Sequence, residues 1–133
     1  MRPQSRGSGD PVLEHGSLGA LQEQYVYNAM VLLHNGTYHM WYSAVLHPDE
    51  RALCSRHVPN SICIAYASSQ DGSHWAREGV VTMCKGPAGG LDAYACFAGH
   101  VVPREDDLWM YYSAGNRYQR YQVALATCPV GLQ

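Results

Sequence analysis

Gly36-Thr-Tyr-His-Met-Trp-Tyr-Ser-Ala44 returns seventy residues later as Asp106-Asp-Leu-Trp-Met-Tyr-Tyr-Ser-Ala114. The alignment runs without a gap from Gly9/Gly79 to Ala44/Ala114, and nine of its 36 pairs are identical. They are Gly9/Gly79, Gly16/Gly86, Gly19/Gly89, Leu21/Leu91, Val31/Val101, Met40/Met110, Tyr42/Tyr112, Ser43/Ser113 and Ala44/Ala114. A long period of this kind argues for one supersecondary unit used twice. The identities fall on turn glycines and on apolar strand positions, which a repeated fold has to keep.

Working outward from the first copy, Tyr27 to Leu33 reads as a near-continuous apolar strand. His34-Asn35-Gly36 supplies the turn, Asn-Gly being a strong hairpin signal. Thr37 to Val45 then alternates with period two, placing Tyr38, Met40, Tyr42 and Ala44 on one face and His39, Trp41 and Ser43 on the other. A long irregular loop, Leu46 to Asn60, leads to a third strand, Ile62 to Ser68. The Asp71-Gly72 pair turns the chain into a fourth, Trp75 to Met83. The second copy repeats the order with Phe97 to Pro103, a turn at Arg104 to Asp107, Leu108 to Ala114, a short loop, and Tyr121 to Thr127.

Helical periodicity is almost absent; Gly89 and Gly90 disfavour a helix in the crossing between the copies. The fold expected is all-β, made of about two four-stranded antiparallel β-propeller blades. Such a propeller is incomplete unless it assembles with other copies. Residues 1–8 are expected to be a flexible segment and 9–133 a two-blade domain. Blade one spans about 21–83 and blade two about 91–127, with 9–20 as an outer strand and crossing. Pro11 to Leu13 aligns with the fourth strand of blade one, the strand that blade two lacks. It is the expected complement of blade two, in its own chain or in a neighbour. Two blades leave open sheet edges and faces, so a homo-oligomer is expected.

Composition narrows the function classes. The chain has 133 residues, 47% apolar and 15% charged, the balance of a globular domain. Its net charge of −2 and nine scattered Lys and Arg argue against nucleic acid and against an anionic membrane. Ten Tyr and three Trp against one Phe are rings with a polar tip, suited to carbohydrate clefts and to β cores alike. Cys54, Cys63, Cys84, Cys96 and Cys128 are odd in number with no CxxC pair, which reads as reduced, buried thiols. The seven histidines show neither HxH nor HExxH spacing, so neither a metal nor another cofactor is expected. No apolar run follows the N-terminal arginines and none reaches membrane-span length, so the chain as given reads as soluble and cytoplasmic.

Three stretches carry a family resemblance: Asn35-Gly-Thr-Tyr-His-Met-Trp-Tyr-Ser-Ala44, Ile64-Ala-Tyr-Ala-Ser-Ser-Gln-Asp-Gly-Ser-His-Trp75 and Leu108-Trp-Met-Tyr-Tyr-Ser-Ala-Gly115. They are similar to blade motifs of five-bladed propeller glycosidases, above all glycoside hydrolase family 43 and its relatives, with the mannoside phosphorylases of family 130 alongside. The resemblance covers roughly residues 9 to 127. It implies carbohydrate as the partner and, if the chain is active, glycoside hydrolysis by carboxylates drawn from different blades. Five blades need well over twice this chain. Asp10-Pro11 looks like the family's catalytic Asp-Pro, but the repeat aligns it with Val80-Val81 at an outer strand, and it is discounted.

Blade topology sorts the remaining candidates. The segment leading into each first strand and the loop between strands two and three share one end of the blade. That end holds Glu23, Tyr25, Asp92 and Tyr94, the loop 46–60, and Asn116, Arg117, Tyr118 and Arg120. The turns at Asn35-Gly36, Asp71-Gly72 and Asp106-Asp107 fall at the other. Asp92 and Glu23 are the candidate catalytic carboxylates, since glycoside hydrolysis needs one protonated and one ionised carboxyl about 5 to 10 Å apart. For Asp92 a second reading stays open, that it bonds backbone N–H groups of the Gly-rich crossing. Tyr25, Tyr94 and Tyr118, with Asn116, Arg117 and Arg120, are the candidate sugar contacts. A non-catalytic carbohydrate-binding or structural module that closes by oligomerisation stays open beside the hydrolase.

Overall fold

The computed structural model describes residues 11–13, 23–46, 62–83, 95–116 and 120–129, and all regular structure in them is β. Seven strands follow in order: β1 (Glu23–His34), β2 (Thr37–Leu46), β3 (Ile62–Ser69), β4 (Ala76–Met83), β5 (Ala95–Arg104), β6 (Asp107–Gly115) and β7 (Tyr121–Pro129). β1 to β4 form one antiparallel meander and β5 to β7 a second. Between the two meanders runs a single parallel pair, Ile62 with Ala95. The two blade-like units are therefore joined by side-chain packing more than by a hydrogen-bonded ladder.

The repeat governs fine structure as well as strand order. Asn35 and Gly36 take φ of 51° and 79°, the left-handed pair that a two-residue hairpin needs. In β1 the register slips by one residue between Tyr27 and Met30 against Ser43 and Trp41. In β5 it slips by one between Phe97 and His100 against Ser113 and Tyr111. The two bulges sit at the same repeat position. In the second, Gly99 lies so close to β6 that an added Cβ would stand 1.7 Å from the Tyr111 carbonyl oxygen, so no side chain fits there without backbone movement.

β3 and β7 are also equivalent, at a different spacing. Val45 pairs with Ile62 and Gly115 with Tyr121, so the connecting loop spans 17 positions in the first unit and 6 in the second. Aligned by register, Ile64-Ala-Tyr-Ala67 matches Val123-Ala-Leu-Ala126. In β3 and β7 the alanines thus fall on one face and the large residues on the other.

Between the units, the Trp41 and Ile64 face of the first meets the Met110 and Tyr112 face of the second. Trp41 and Ile64, with Met30, Leu32 and Tyr66, pack on Cys96, Ala98, Val101, Leu108, Met110, Tyr112 and Ala114, with Ala124 and Ala126 at the margin. Ile64 is fully buried there, and a side chain of that size stabilises by about 1.5 to 3 kcal/mol when removed from water. Ser43, also fully buried, reaches across the same interface, and its Oγ accepts a 2.7 Å hydrogen bond from the Ala98 N–H. That N–H lies in the β5 bulge, outside the one-to-one ladder register.

On the other side of blade one, Met40, Tyr42, Ala44, Cys63, Ala65 and Ala67 form a second buried cluster, against which Leu13, Val26 and Trp75 pack. Residues 11–13 are not a strand, and Leu13 lies on this cluster; among the described residues β7 pairs with β6. Cys63, Cys96 and Cys128 are not in disulfides, and the Cys63 thiol points at the Ala44 carbonyl at 3.7 Å.

Candidate functional site

One row of backbone pairs crosses both units at a single end of the sheet. It runs from Tyr25 to Val45, Val45 to Ile62, Ile62 to Ala95, Ala95 to Gly115 and Gly115 to Tyr121. Here β1, β3, β5 and β7 begin while β2 and β6 end, so the loops after β2 and β6 both leave from this end. Glu23 stands opposite Leu46 and Tyr25 opposite Val45, in this row or just beyond it. Asn116 and Arg120 flank the second of the two loops. Asp92, Tyr94, Arg117 and Tyr118 lie outside the described residues.

Asn116 has a definite local role. Its backbone N–H donates to the Arg120 carbonyl at 3.1 Å, and its Oδ1 accepts from the Arg120 N–H at 3.1 Å. The amide oxygen thus closes the short loop, a side-chain substitute for a backbone turn. Arg120 is exposed.

A feature of this end that the sequence reasoning missed is a trio of rings. Tyr27 and Phe97 lie 6.1 Å apart between centroids at 55°, and Phe97 and Tyr121 lie 5.7 Å apart edge to face. Both separations fall within the range of favourable aromatic pairs. Tyr27 and Phe97 occupy the same position in the 70-residue repeat, and that equivalence was the signal available. Tyr121 lies against Gly115, where an added Cβ would meet its ring at 2.5 Å. Burial pushes the Tyr27 hydroxyl above its ordinary pKa, and the neighbouring Tyr121 and Cys63 push in the same direction. The trio, two tyrosines and a phenylalanine, lies at the end from which β2 and β6 lead into their following loops.

The opposite end carries turn chemistry. Asp71 Oδ1 accepts from the N–H groups of Ser73 and His74 at 2.8 Å each, and its Oδ2 lies 2.8 Å from His74 Nδ1. The His74 N–H first, then that of Ser73, holds the Asp71 carboxyl well below the usual carboxylate range. Ser69 Oγ accepts from the N–H groups of Asp71 and Gly72, and Trp75 Nε1 donates to the Gly72 carbonyl. The Asp71 carboxylate and the Ser69 hydroxyl are thereby engaged in the turn itself. Asp106 is exposed in the β5–β6 turn, and Asp107 pairs with Arg104 in the ladder. Between the ends, His39 Nδ1 lies 2.6 Å from the Tyr66 hydroxyl and its ring stacks on Trp41. Burial lowers the pKa of His39, and His34 adds to the effect. Among the described residues no group of three or more His, Cys, Asp or Glu could hold a metal ion.

No family model matches the sequence, and no curated protein matches it. Solved structures do. One, a glycoside hydrolase, shares 18% identity over 88% of this chain and 32% of its own, with a TM-score of 0.62. A second, a glycosyl hydrolase from Bacteroides ovatus, shares 21% identity over 82% of this chain and 29% of its own, with a TM-score of 0.61. A third, a family 117 glycoside hydrolase produced by the marine bacterium Zobellia galactanivorans, shares 21% identity over 77% of this chain and 34% of its own, with a TM-score of 0.61. The chain spans about a third of the length of each. The likeness is one of fold: these strands, in this order and register, form a glycosidase-like all-β structure.

Proposed function

We propose that the chain is two blades of a glycosidase-like β-propeller that acts on carbohydrate at the end where its loops converge. The observation that carries this reading is the fold shared with glycoside hydrolases over most of the chain's length. The blade motifs that resemble family 43 and family 130 support it from the sequence side. In this reading Asp92, just ahead of β5, and Glu23, at the start of β1, supply carboxylates from adjacent blades. One protonates the leaving oxygen, and the other activates water or attacks the anomeric carbon. Tyr25, Tyr94 and Tyr118 stack on sugar C–H faces, while Arg117 and Arg120 bond hydroxyls. Asn116 holds the loop that presents them.

The test is turnover of a panel of aryl glycosides by the chain and by Asp92→Asn. Turnover by the chain that drops by a factor of about 100 or more in the variant, the scale of a lost general acid or base, is the expected result. Equal rates in both would remove Asp92 from the chemistry.

A second reading is a non-catalytic carbohydrate-binding module. It predicts no turnover, together with oligosaccharide binding that Arg120→Ala weakens. A chain that neither turns over nor binds any sugar of a broad array would overturn both readings.

A further inference from the structure

Tyr27 and Asn28 stand at the β1 bulge, just inward of the Tyr25–Val45 pair that marks the loop end of the sheet. Asn28 and Ala29 together face the single residue Tyr42, between the pairs Tyr27–Ser43 and Met30–Trp41. Asn28 takes a φ of 54° and is exposed. Asn enters this left-handed region more readily than most residues, yet at a cost that glycine escapes. Asn35, which shares the conformation, owes it to its hairpin turn. The bulge itself does not demand it, since Ala98, at the same repeat position in β5, is buried and has no positive φ.

Tyr27 lies on the side of β1 that meets blade two, with Met30 and Leu32, since its partner Ser43 reaches Ala98 across that interface. The neighbouring blade is in place there, and Tyr27 is still 37% exposed. Its exposure is therefore not that of an uncovered blade face. Phe97, the repeat partner of Tyr27, is half-buried and lies 6.1 Å from it between centroids, tilted at 55°. On its other side Phe97 meets Tyr121 at 5.7 Å, edge to face, so the ring pair is supported from blade two. Rings from two adjacent strands with an exposed amide one residue away combine what a glycosyl ring needs. The rings suit its C–H groups, and the amide donates to and accepts from its hydroxyls.

We propose that Tyr27, Asn28 and Phe97 form a subsite for one neutral glycosyl unit, its C–H face against the Tyr27 ring and one hydroxyl bonded to the Asn28 amide. The subsite rests on the carbohydrate reading and adds to it residues from the first strands of both blades. None of the three side chains is charged, which suits a neutral sugar. The backbone conformation supplies the second line of support. If shape alone mattered at position 28, glycine would serve better, so the strained position keeps a side chain for what that side chain does. Bulges beside binding sites commonly re-aim a side chain in this way.

Titration calorimetry of the chain with a panel of neutral hexose and pentose oligosaccharides, beside urea unfolding of each variant, tests the proposal. Asn28→Gly should leave the urea midpoint equal to or above that of the parent, because glycine takes positive φ freely. It should nevertheless weaken binding by roughly 3- to 10-fold, the scale of one lost hydrogen bond. Tyr27→Leu, which keeps an apolar side chain and removes the ring, should weaken binding about tenfold, and Tyr27→Phe should weaken it less. Unchanged affinity in Asn28→Gly or in Tyr27→Leu would overturn the subsite and leave the carbohydrate reading standing. A lower urea midpoint in Asn28→Gly would overturn it too, since the amide would then be holding the fold. A parent chain that binds no member of the panel would overturn the subsite, and only if it also turns over no aryl glycoside does the carbohydrate reading fall with it.

Discussion

Ser43→Ala and Ser113→Ala change the same repeated residue in two settings and should have very different costs. Ser43 Oγ is the acceptor for the Ala98 N–H, at 2.7 Å and fully buried between the blades. The β5 bulge takes Ala98 out of the ladder register, and the hydroxyl of the neighbouring blade receives its N–H. Removing that oxygen leaves a buried backbone donor without its acceptor, which costs about 1 to 3 kcal/mol. Ser113 is half-buried, and among the described residues it makes no such contact with another blade. Its change should stay within about 0.5 kcal/mol, the usual range for a substitution away from such features. For a chain of this size the first loss lowers Tm by about 3 to 10 °C and the second by less than about 2 °C. Urea unfolding of the two variants beside the parent chain, followed by far-ultraviolet circular dichroism, reads the difference directly. Equal losses at both positions, or no loss at Ser43, would refute the claim that this hydrogen bond ties the blades together.

Gly99→Ala forces a Cβ onto the Tyr111 carbonyl in the β5 bulge and should destabilise by about 3 kcal/mol, read as a lower urea midpoint. The same experiment at Gly36, where nothing lies within 4 Å but φ is +79°, tests backbone strain alone and should cost about 1 kcal/mol. Tyr27 supplies a prediction about pH. Its folded pKa is raised by burial, then by Tyr121 and Cys63, so its contribution is fully present below the unfolded value and is lost as pH rises through the folded one. Stability should therefore fall above about pH 10, the ordinary tyrosine value, and fall less in Tyr27→Phe. Identical alkaline profiles for parent and variant would remove Tyr27 as the cause.

All seven strands were legible in the sequence, because each has an apolar run or alternation bounded by turn residues. The Asn35-Gly36 hairpin and the turn role of Asp71-Gly72 followed from turn chemistry alone. The bulges were not legible. Tyr27 to Leu33 is apolar almost throughout, and a one-residue slip in such a run leaves no break in the pattern for the eye to find. Strand order placed Tyr121 to Thr127 as the second unit's counterpart of Ile62 to Ser68, but the residue-by-residue register between them was hidden for another reason. The loop before β7 is eleven positions shorter than the one before β3, 6 against 17, so the ungapped offset of 70 stops at Ala114. With that register went the ring trio, in which Tyr121 meets Phe97. Asn116 was read as a sugar contact. What the sequence did not show is that its Oδ1 also accepts the Arg120 N–H, a local bond that an Asn at the end of a strand makes readily.

The repeat also explains why the candidate site is the part of the chain least fixed by it. One face of the second strand recurs with the same burial because it must fit the same kind of neighbour: Met40 and Met110, Tyr42 and Tyr112, Ala44 and Ala114 are buried in both copies. The loops leaving the opposite side of each strand pair have no such obligation, and the first is 17 positions where the second is 6. Asymmetry of this kind is what a site built from several blades requires, since a general acid and a general base must differ in charge and surroundings while standing on equivalent scaffolds. Gln22 and Asp92, equivalent in the repeat and different in charge, meet that condition in the sequence, as do Glu23 and Ala93. The experiment that separates a site from two capped crossings is therefore the pair Asp92→Asn and Gln22→Asp. A catalytic Asp92 makes the first change costly to turnover without loss of stability. A capping Asp92 makes it costly to stability, and then Gln22→Asp, which places a carboxylate at the equivalent cap, should be tolerated or should stabilise.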